Sequence, residues 1–430
     1  MTTHAELLRR HRVVLPDWLA LYYAEPIALV GGDGRHVVDA EGTRYLDFFG
    51  GILTTMVGYN VPEIVQAVQA QAGRMLHSST LYLIEPMIAL AERIAALSGI
   101  PDAKVFFTNS GTEANETALL LATTVRRSNQ ILALRNSYHG RSFAAMGITG
   151  NRGWSASSLS PVNVHYVHGG DPYRTPLGRL SPAEYVEASV ADLRHVLATA
   201  TAGDVACLIA EPIQGVGGFT VPPDGLFGRF KEVLDEYGIL LISDEVQTGW
   251  GRTGEHFWGI EAHGAVPDML TFAKGLGNGV AIGGVVARGE LMDALTANSI
   301  ATFGGNHLAT TAALATLEYL LDHDLQGNAL KVGARLAEGL RSIAARHAVV
   351  GDVRGKGLML GVELVEPAGG GPNPGAAARV LEEARQRGLL VGKGGLFGNT
   401  LRVAPPLSVT EAEADEALGI LGAAVAAAEA

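Results

Sequence analysis

Three short segments hold residues whose types and spacing suit covalent chemistry. In DMLTFAKGLGNGVAIGG, residues 268–284, Lys274 follows an apolar run and opens a glycine-rich loop. A lysine at such a place is either a surface cation or a buried amine. Desolvation lowers an amine's pKa, so a buried one serves as nucleophile and proton acceptor. The spacing of Gly275, Gly277 and Gly279 is not the GxGxxG of a dinucleotide fingerprint, and no Walker phosphate loop is present. In LISDEVQTGWGRTG, residues 241–254, an apolar run delivers Asp244 and Glu245 side by side. A solvated turn is the plain reading of two adjacent acids. If the run is a buried strand, Asp244 needs a cationic or hydrogen-bonded partner, and a protonated heterocyclic nitrogen is one candidate. In FFTNSGTEANETALLLA, residues 106–122, a strand gives way to small polar residues and then a helix. Ser110 and Glu113 are spaced as a capping box. That alone accounts for Ser110, although the free amides of such a helix start also bind phosphate.

These segments need a scaffold that brings strand ends together. Apolar runs at Val105–Thr108, Ile131–Leu134, Val205–Ala210, Ile239–Ser243, Leu270–Phe272 and Ile282–Ala287 are separated by helical patterns such as Glu113–Arg126, Pro182–Ala200 and Gly228–Tyr237. Apolar strands spaced by helices predict an α/β fold with a largely parallel sheet covered on both faces, whose ligands sit at strand ends. Residues 35–49, with a Glu41-Gly42 turn, read as a hairpin. Beyond about residue 306, helical stretches (307–322, 328–347, 375–387 and 410–428) flank short strands at Gly361–Leu364, Leu389–Val391 and Leu401–Ala404. The expected organisation is an N-terminal segment and hairpin (1–60) packed on a smaller α+β domain (306–430), with a large domain (61–305) between them in sequence.

The bulk numbers narrow the function. A chain of 430 residues exceeds one ordinary domain. Its formal net charge of -12, without basic runs, argues against nucleic acid or an anionic membrane surface as partner. No apolar segment of ~20 residues predicts a membrane span. The N-terminal MTTHAELLRRHRVVLPDW reads as a short amphipathic helix rather than a cleaved leader. The single cysteine, Cys207, lies in an apolar run and suits a reducing cytoplasm. His165 and His168 have no acidic or cysteine partners nearby, so no metal site is expected. Arg354 and Lys356, in DVRGKG, read as structural charges in a glycine turn.

Taken in order, SGTEAN, YHG, EPIQG, SDEVQTGWGRTG, FAKG and TFGGN resemble the fold-type I, class III pyridoxal-phosphate aminotransferases over nearly the whole chain. SDEVQTGWGRTGEHFWG and VGDVRGKGLMLGVEL are most similar to the alanine–glyoxylate branch. The resemblance implies a large domain with a mostly parallel seven-stranded sheet, and pyridoxal 5'-phosphate as cofactor. It implies that Lys274 forms the Schiff base and then moves protons, while Asp244 keeps the pyridine nitrogen protonated. Tyr138 would stack on the ring, with Val246 on the other face and Gln247 bonded to the phenolic oxygen. Ser110, Gly111 and Thr112 would cradle the phosphate. Thr302 would reach a partner subunit's phosphate, which implies a homodimer or larger homo-oligomer. Glu211 would be an acid near the cofactor.

For substrates, Arg402 in LRVAPPL is similar to an arginine that binds an α-carboxylate. Arg141, directly after YHG, is placed like the carboxylate-binding arginine of ornithine and 4-aminobutyrate aminotransferases. Val216 stands where glutamate-using members carry a gating glutamate, which favours small keto acids such as pyruvate or glyoxylate. The alanine–glyoxylate branch does not usually carry arginine at position 141, which brings ω-amino acid donors into view. Trp18, Tyr22 and Tyr23 are read as packing residues that could also line the pocket. The implied activity moves an amino group from alanine, β-alanine, 4-aminobutyrate or a similar donor to a small 2-oxo acid. A decarboxylase, an aminomutase, an amino-alcohol-phosphate phospho-lyase and a non-catalytic cofactor-binding protein stand as alternatives.

Overall fold

A computed structural model describes residues 4–429. Seven strands form the central sheet, in the order Ala103–Thr108, Gly283–Arg288, Met269–Phe272, Leu240–Asp244, Cys207–Ala210, Gln130–Leu134, Asn163–Val167. The five strands from Met269–Phe272 to Asn163–Val167 are parallel, and Gly283–Arg288 runs antiparallel to both neighbours. Every residue of Gln130–Leu134, Cys207–Ala210, Leu240–Asp244 and Met269–Phe272 is buried. These strands are mostly apolar on both sides because helices cover both faces of the sheet and leave no solvent side for alternation. Asn163–Val167, at the edge, completes the sheet beyond the six apolar runs named above.

The helix Gly111–Arg126 turns Ala114, Ala118, Leu121 and Ala122 toward the sheet. Their spacing is that of one helical face. Ser110 caps it by accepting the Glu113 amide at 3.2 Å. The expected capping box is altered by one residue, since the Glu113 carboxylate reaches back to the amide of Asn109 at 2.7 Å. The hairpin forms from His36–Asp39 and Arg44–Asp47, and Leu389–Leu390 joins that sheet parallel to Arg44–Asp47. A second four-stranded sheet holds Val350–Lys356, Met359–Leu364, Thr400–Val403 and Gly392–Gly394. It carries Arg402, opposite Gly361 on one side and Gly392 on the other. Residues 352–356 of DVRGKG are therefore strand, with only Gly357 in the turn, and Arg354 is a half-buried ion-pair centre bonded to Asp352 and Glu363.

Candidate active site

The residues singled out by type converge at the C-terminal ends of the parallel strands, where loops leave an α/β sheet. Gly111, Thr112, Tyr138, Glu211, Asp244, Val246, Gln247 and Lys274 line one cavity together with Asn115, His139 and Gly140. Ser110 and Thr302 do not line it. Ser110 is committed to the helix cap, and Thr302 is exposed.

Lys274 sits two residues past the strand Met269–Phe272, with φ of 42°. That is the left-handed region, which costs a residue bearing a Cβ about 1–2 kcal/mol. Burial pushes its amine down to about 8, against the pull of Asp244 and Glu211, and the Arg402 charge acts in the same direction as burial.

Asp244 ends the strand Leu240–Asp244 and is buried. Its Oδ2 lies 2.7 Å from His139 Nδ1 and accepts from the Asn115 amide at 2.8 Å. Among the described residues its Oδ1 accepts only the Val246 amide, at 3.1 Å, so this oxygen keeps capacity toward the cavity. Asn115 is fixed in turn, donating to the His139 carbonyl and accepting from the Thr271 hydroxyl at 2.7 Å. Residue-by-residue reading missed Asn115 and Thr271. Asn115 falls on the buried face of a helix five residues after its cap, where an amide side chain signals a specific partner.

Glu245, the second acid of the pair, is no solvated turn. It is fully buried and accepts from the hydroxyls of Ser243 (3.1 Å) and Thr248 (2.5 Å) and from the amides of Gly259 and Ile260, both at 2.9 Å. Glu245 thereby ties down the loop that presents Asp244, Val246 and Gln247. Burial pushes its carboxyl up to about 7. Glu211 is likewise buried, binds the Tyr138 and Gly215 amides at 2.8 and 2.9 Å, and is pushed up by burial. It sets the backbone of Tyr138, whose ring meets Trp154 edge-on at 5.5 Å. Gln247 Oε1 is buried with no hydrogen-bond partner among the described residues. Gly215 lies against it, and a Cβ there would come within 2.4 Å of the Gln247 amide and displace that side chain.

The two arginines differ. Arg402 is buried, donates to the Gly215 carbonyl at 3.4 Å, and lies over the rings of Phe49 and Phe219 at 4.8 and 5.6 Å. Its Nε has no partner among the described residues, and burial pushes the guanidinium down. Arg141 is exposed, outside the cavity wall, and rests over Trp18. Tyr22 stacks on Phe49 with centroids 6.1 Å apart. Val216 is buried, and its carbonyl accepts the Gly395 amide at 2.9 Å.

The aminotransferase class-III family profile matches residues 22–425. An alanine–glyoxylate aminotransferase 2 homologue, described as mitochondrial, from Arabidopsis thaliana is 41% identical over 95% of this chain and 84% of its own length. An alanine/serine racemase from Pyrococcus horikoshii is 35% identical over 98% and 90%. Among solved structures, an amine transaminase from an uncultivated Pseudomonas species, in its PLP-bound form, superposes with a TM-score of 0.90 at 33% identity, covering 96% of this chain and 98% of that one.

Proposed function

We propose, from the premise that this chain belongs to the class-III aminotransferases, that it moves an amino group from a carboxylate-bearing amino donor to a small 2-oxo acid in two half-reactions at one cavity. The observation that carries this reading is the meeting of a half-buried lysine, its amine pushed down to about 8, with a carboxylate whose Oδ2 is held by two side chains and whose Oδ1 takes a single backbone amide. The cofactor is pyridoxal 5'-phosphate, which supplies an aldehyde carbon and an electron-withdrawing ring that delocalises charge developed at the donor's α carbon.

The residues fit that group. Asp244 Oδ1 can hold a proton on a ring nitrogen while Oδ2 is held by Asn115 and His139. The first amides of the Gly111–Arg126 helix suit a phosphate, with Gly111 and Thr112 on the cavity wall. Gln247 has unmet hydrogen-bonding capacity there, and Tyr138 and Val246 offer ring-sized walls. Lys274, with an amine pushed down to about 8, is partly neutral at mildly alkaline pH, and its Nζ would take the donor's α proton and hold it for return. Arg402, buried with an unpartnered Nε, binds the α-carboxylate. Arg141 binds a remote carboxylate where the donor has one. With Val216 in place of a gating acid, Arg402 stays open to pyruvate or glyoxylate.

Thr302, exposed and away from this chain's own cavity, suits a role toward a second copy's phosphate, so we take the working unit as a homodimer or larger. Light scattering tests that assignment. We place the protein in the cytoplasm on the strength of its one buried cysteine. Cell fractionation decides between that and the mitochondrial setting named for the Arabidopsis relative. Among the described residues no helix is long and apolar enough to cross a membrane.

The deciding experiment crosses alanine, β-alanine, 4-aminobutyrate and ornithine with pyruvate, glyoxylate and 2-oxoglutarate. Amine appearing on the keto acid is expected. Release of ammonia, phosphate or carbon dioxide, or inversion of the donor without an acceptor, rejects amino transfer.

A further inference from the structure

Arg141 is a cation beside the cavity mouth. Its neighbour Gly140 lines the cavity, yet among the described residues no carboxylate lies within ion-pair distance of Arg141, in a chain where Asp and Glu number 44 and Lys and Arg 32. What it does have is an aromatic face, with its guanidinium carbon 5.3 Å from the ring centroid of Trp18. Trp18 comes from far away in sequence, on a turn in which the Leu19 amide donates to the Pro16 carbonyl at 3.0 Å.

Four residues on, the same segment reaches the other arginine. The Tyr22 hydroxyl donates to the Lys393 carbonyl at 3.3 Å, and its ring lies nearly parallel to Phe49 (17°), which is also the ring beneath Arg402. One stretch of chain, residues 18–22, thus touches the aromatic surroundings of both guanidinium groups. Trp18 is 71% exposed in the single chain, so packing within the chain's own core does not account for it.

We infer that Trp18 is a positioning residue for Arg141, orienting it to receive the donor's remote carboxylate. A ring against the guanidinium face removes water from that face and restricts its rotation. The in-plane N–H groups, which pair with a carboxylate in bidentate fashion, remain free at the edge. Exposed cation–π contacts are weak, so the effect is about two- to fivefold on ligands that use Arg141. It is absent for ligands that do not. This inference rests on the aminotransferase reading, since it assigns substrate selection at that site.

The test is a double-mutant cycle on the cofactor-loaded protein, using calorimetric binding of glutarate, an unreactive dicarboxylate, and KM for 4-aminobutyrate against a short amine lacking a carboxylate. Trp18→Ala is expected to weaken glutarate about two- to fivefold, Trp18→Phe to weaken it less, and both to leave the amine unchanged. In an Arg141→Ala background, Trp18→Ala is expected to add nothing. Equal weakening in both backgrounds, or no weakening by Trp18→Ala, overturns the inference. If Arg141→Ala by itself leaves glutarate binding unchanged, there is nothing for Trp18 to position, and the inference falls with the carboxylate role of Arg141. Glutarate binding reports without turnover. Failure of the donor-by-acceptor screen with an intact cycle would therefore reject amino transfer and not the Trp18–Arg141 pairing.

Discussion

His139 Nδ1 lies 2.7 Å from Asp244 Oδ2, and both side chains are buried. The histidine lies in the YHG loop that also supplies Tyr138, so the wall of the cavity and its carboxylate are mechanically joined. His139→Ala removes a hydrogen bond to a charged group, worth about 1.5–3 kcal/mol, and kcat is expected to fall ~10- to 100-fold. The cofactor's absorption spectrum should shift in parallel. Unchanged kcat and spectrum would show that Asn115 and the Val246 amide hold the carboxylate without the histidine.

Lys274 sets a pH dependence. Its amine, at about 8 in the folded chain, loses its proton well before an unfolded lysine does. Cofactor uptake by the apo protein should therefore rise with pH and level off a little above 8. Between about 8 and the ordinary lysine range the unfolded chain holds more protons, so this group makes apo stability increase with pH across that window. Lys274→Ala should flatten this part of the stability profile and abolish borohydride trapping. A profile identical in the variant would remove Lys274 from the account.

Arg402→Lys keeps the charge and loses the planar fork. KM for donors with an α-carboxylate is expected to rise about tenfold or more, as for loss of a charged hydrogen bond. Amines without a carboxylate should be nearly unaffected. Parallel losses for both donor types would mean that Arg402 supports the fold through Gly215 rather than binding substrate.

Glu245→Ala strands two buried amides and two hydroxyls. Each unsatisfied buried group costs about 1–3 kcal/mol, so the urea midpoint should drop markedly and cofactor should leak from the partly loosened loop. A variant with wild-type midpoint would show that water replaces the carboxylate without penalty.

Much of this was legible from residue order. Strand runs such as residues 240–242 are apolar throughout because both faces are covered, and that pattern marks a buried parallel sheet from the sequence alone. Glycine-rich loops after those runs placed Lys274 and Asp244 at strand ends. Legibility failed where a residue's meaning depends on what crosses over to meet it. Asn115 looks like any polar residue on a helix until Thr271 and Asp244 are brought against it. Arg354 looks like a charge in a turn because its acceptors, Glu363 and the Gly218 carbonyl, lie on separate elements. Arg141 and Trp18 are 123 positions apart in the chain, and nothing local connects them.

The left-handed backbone at Lys274 carries a lesson for anyone seeking a hardier catalyst. The substitution that relaxes that bend most directly is glycine, and it deletes the reactive amine. Selection for heat tolerance alone would drift toward an inert scaffold at this position, so gains in robustness have to come from elsewhere in the chain.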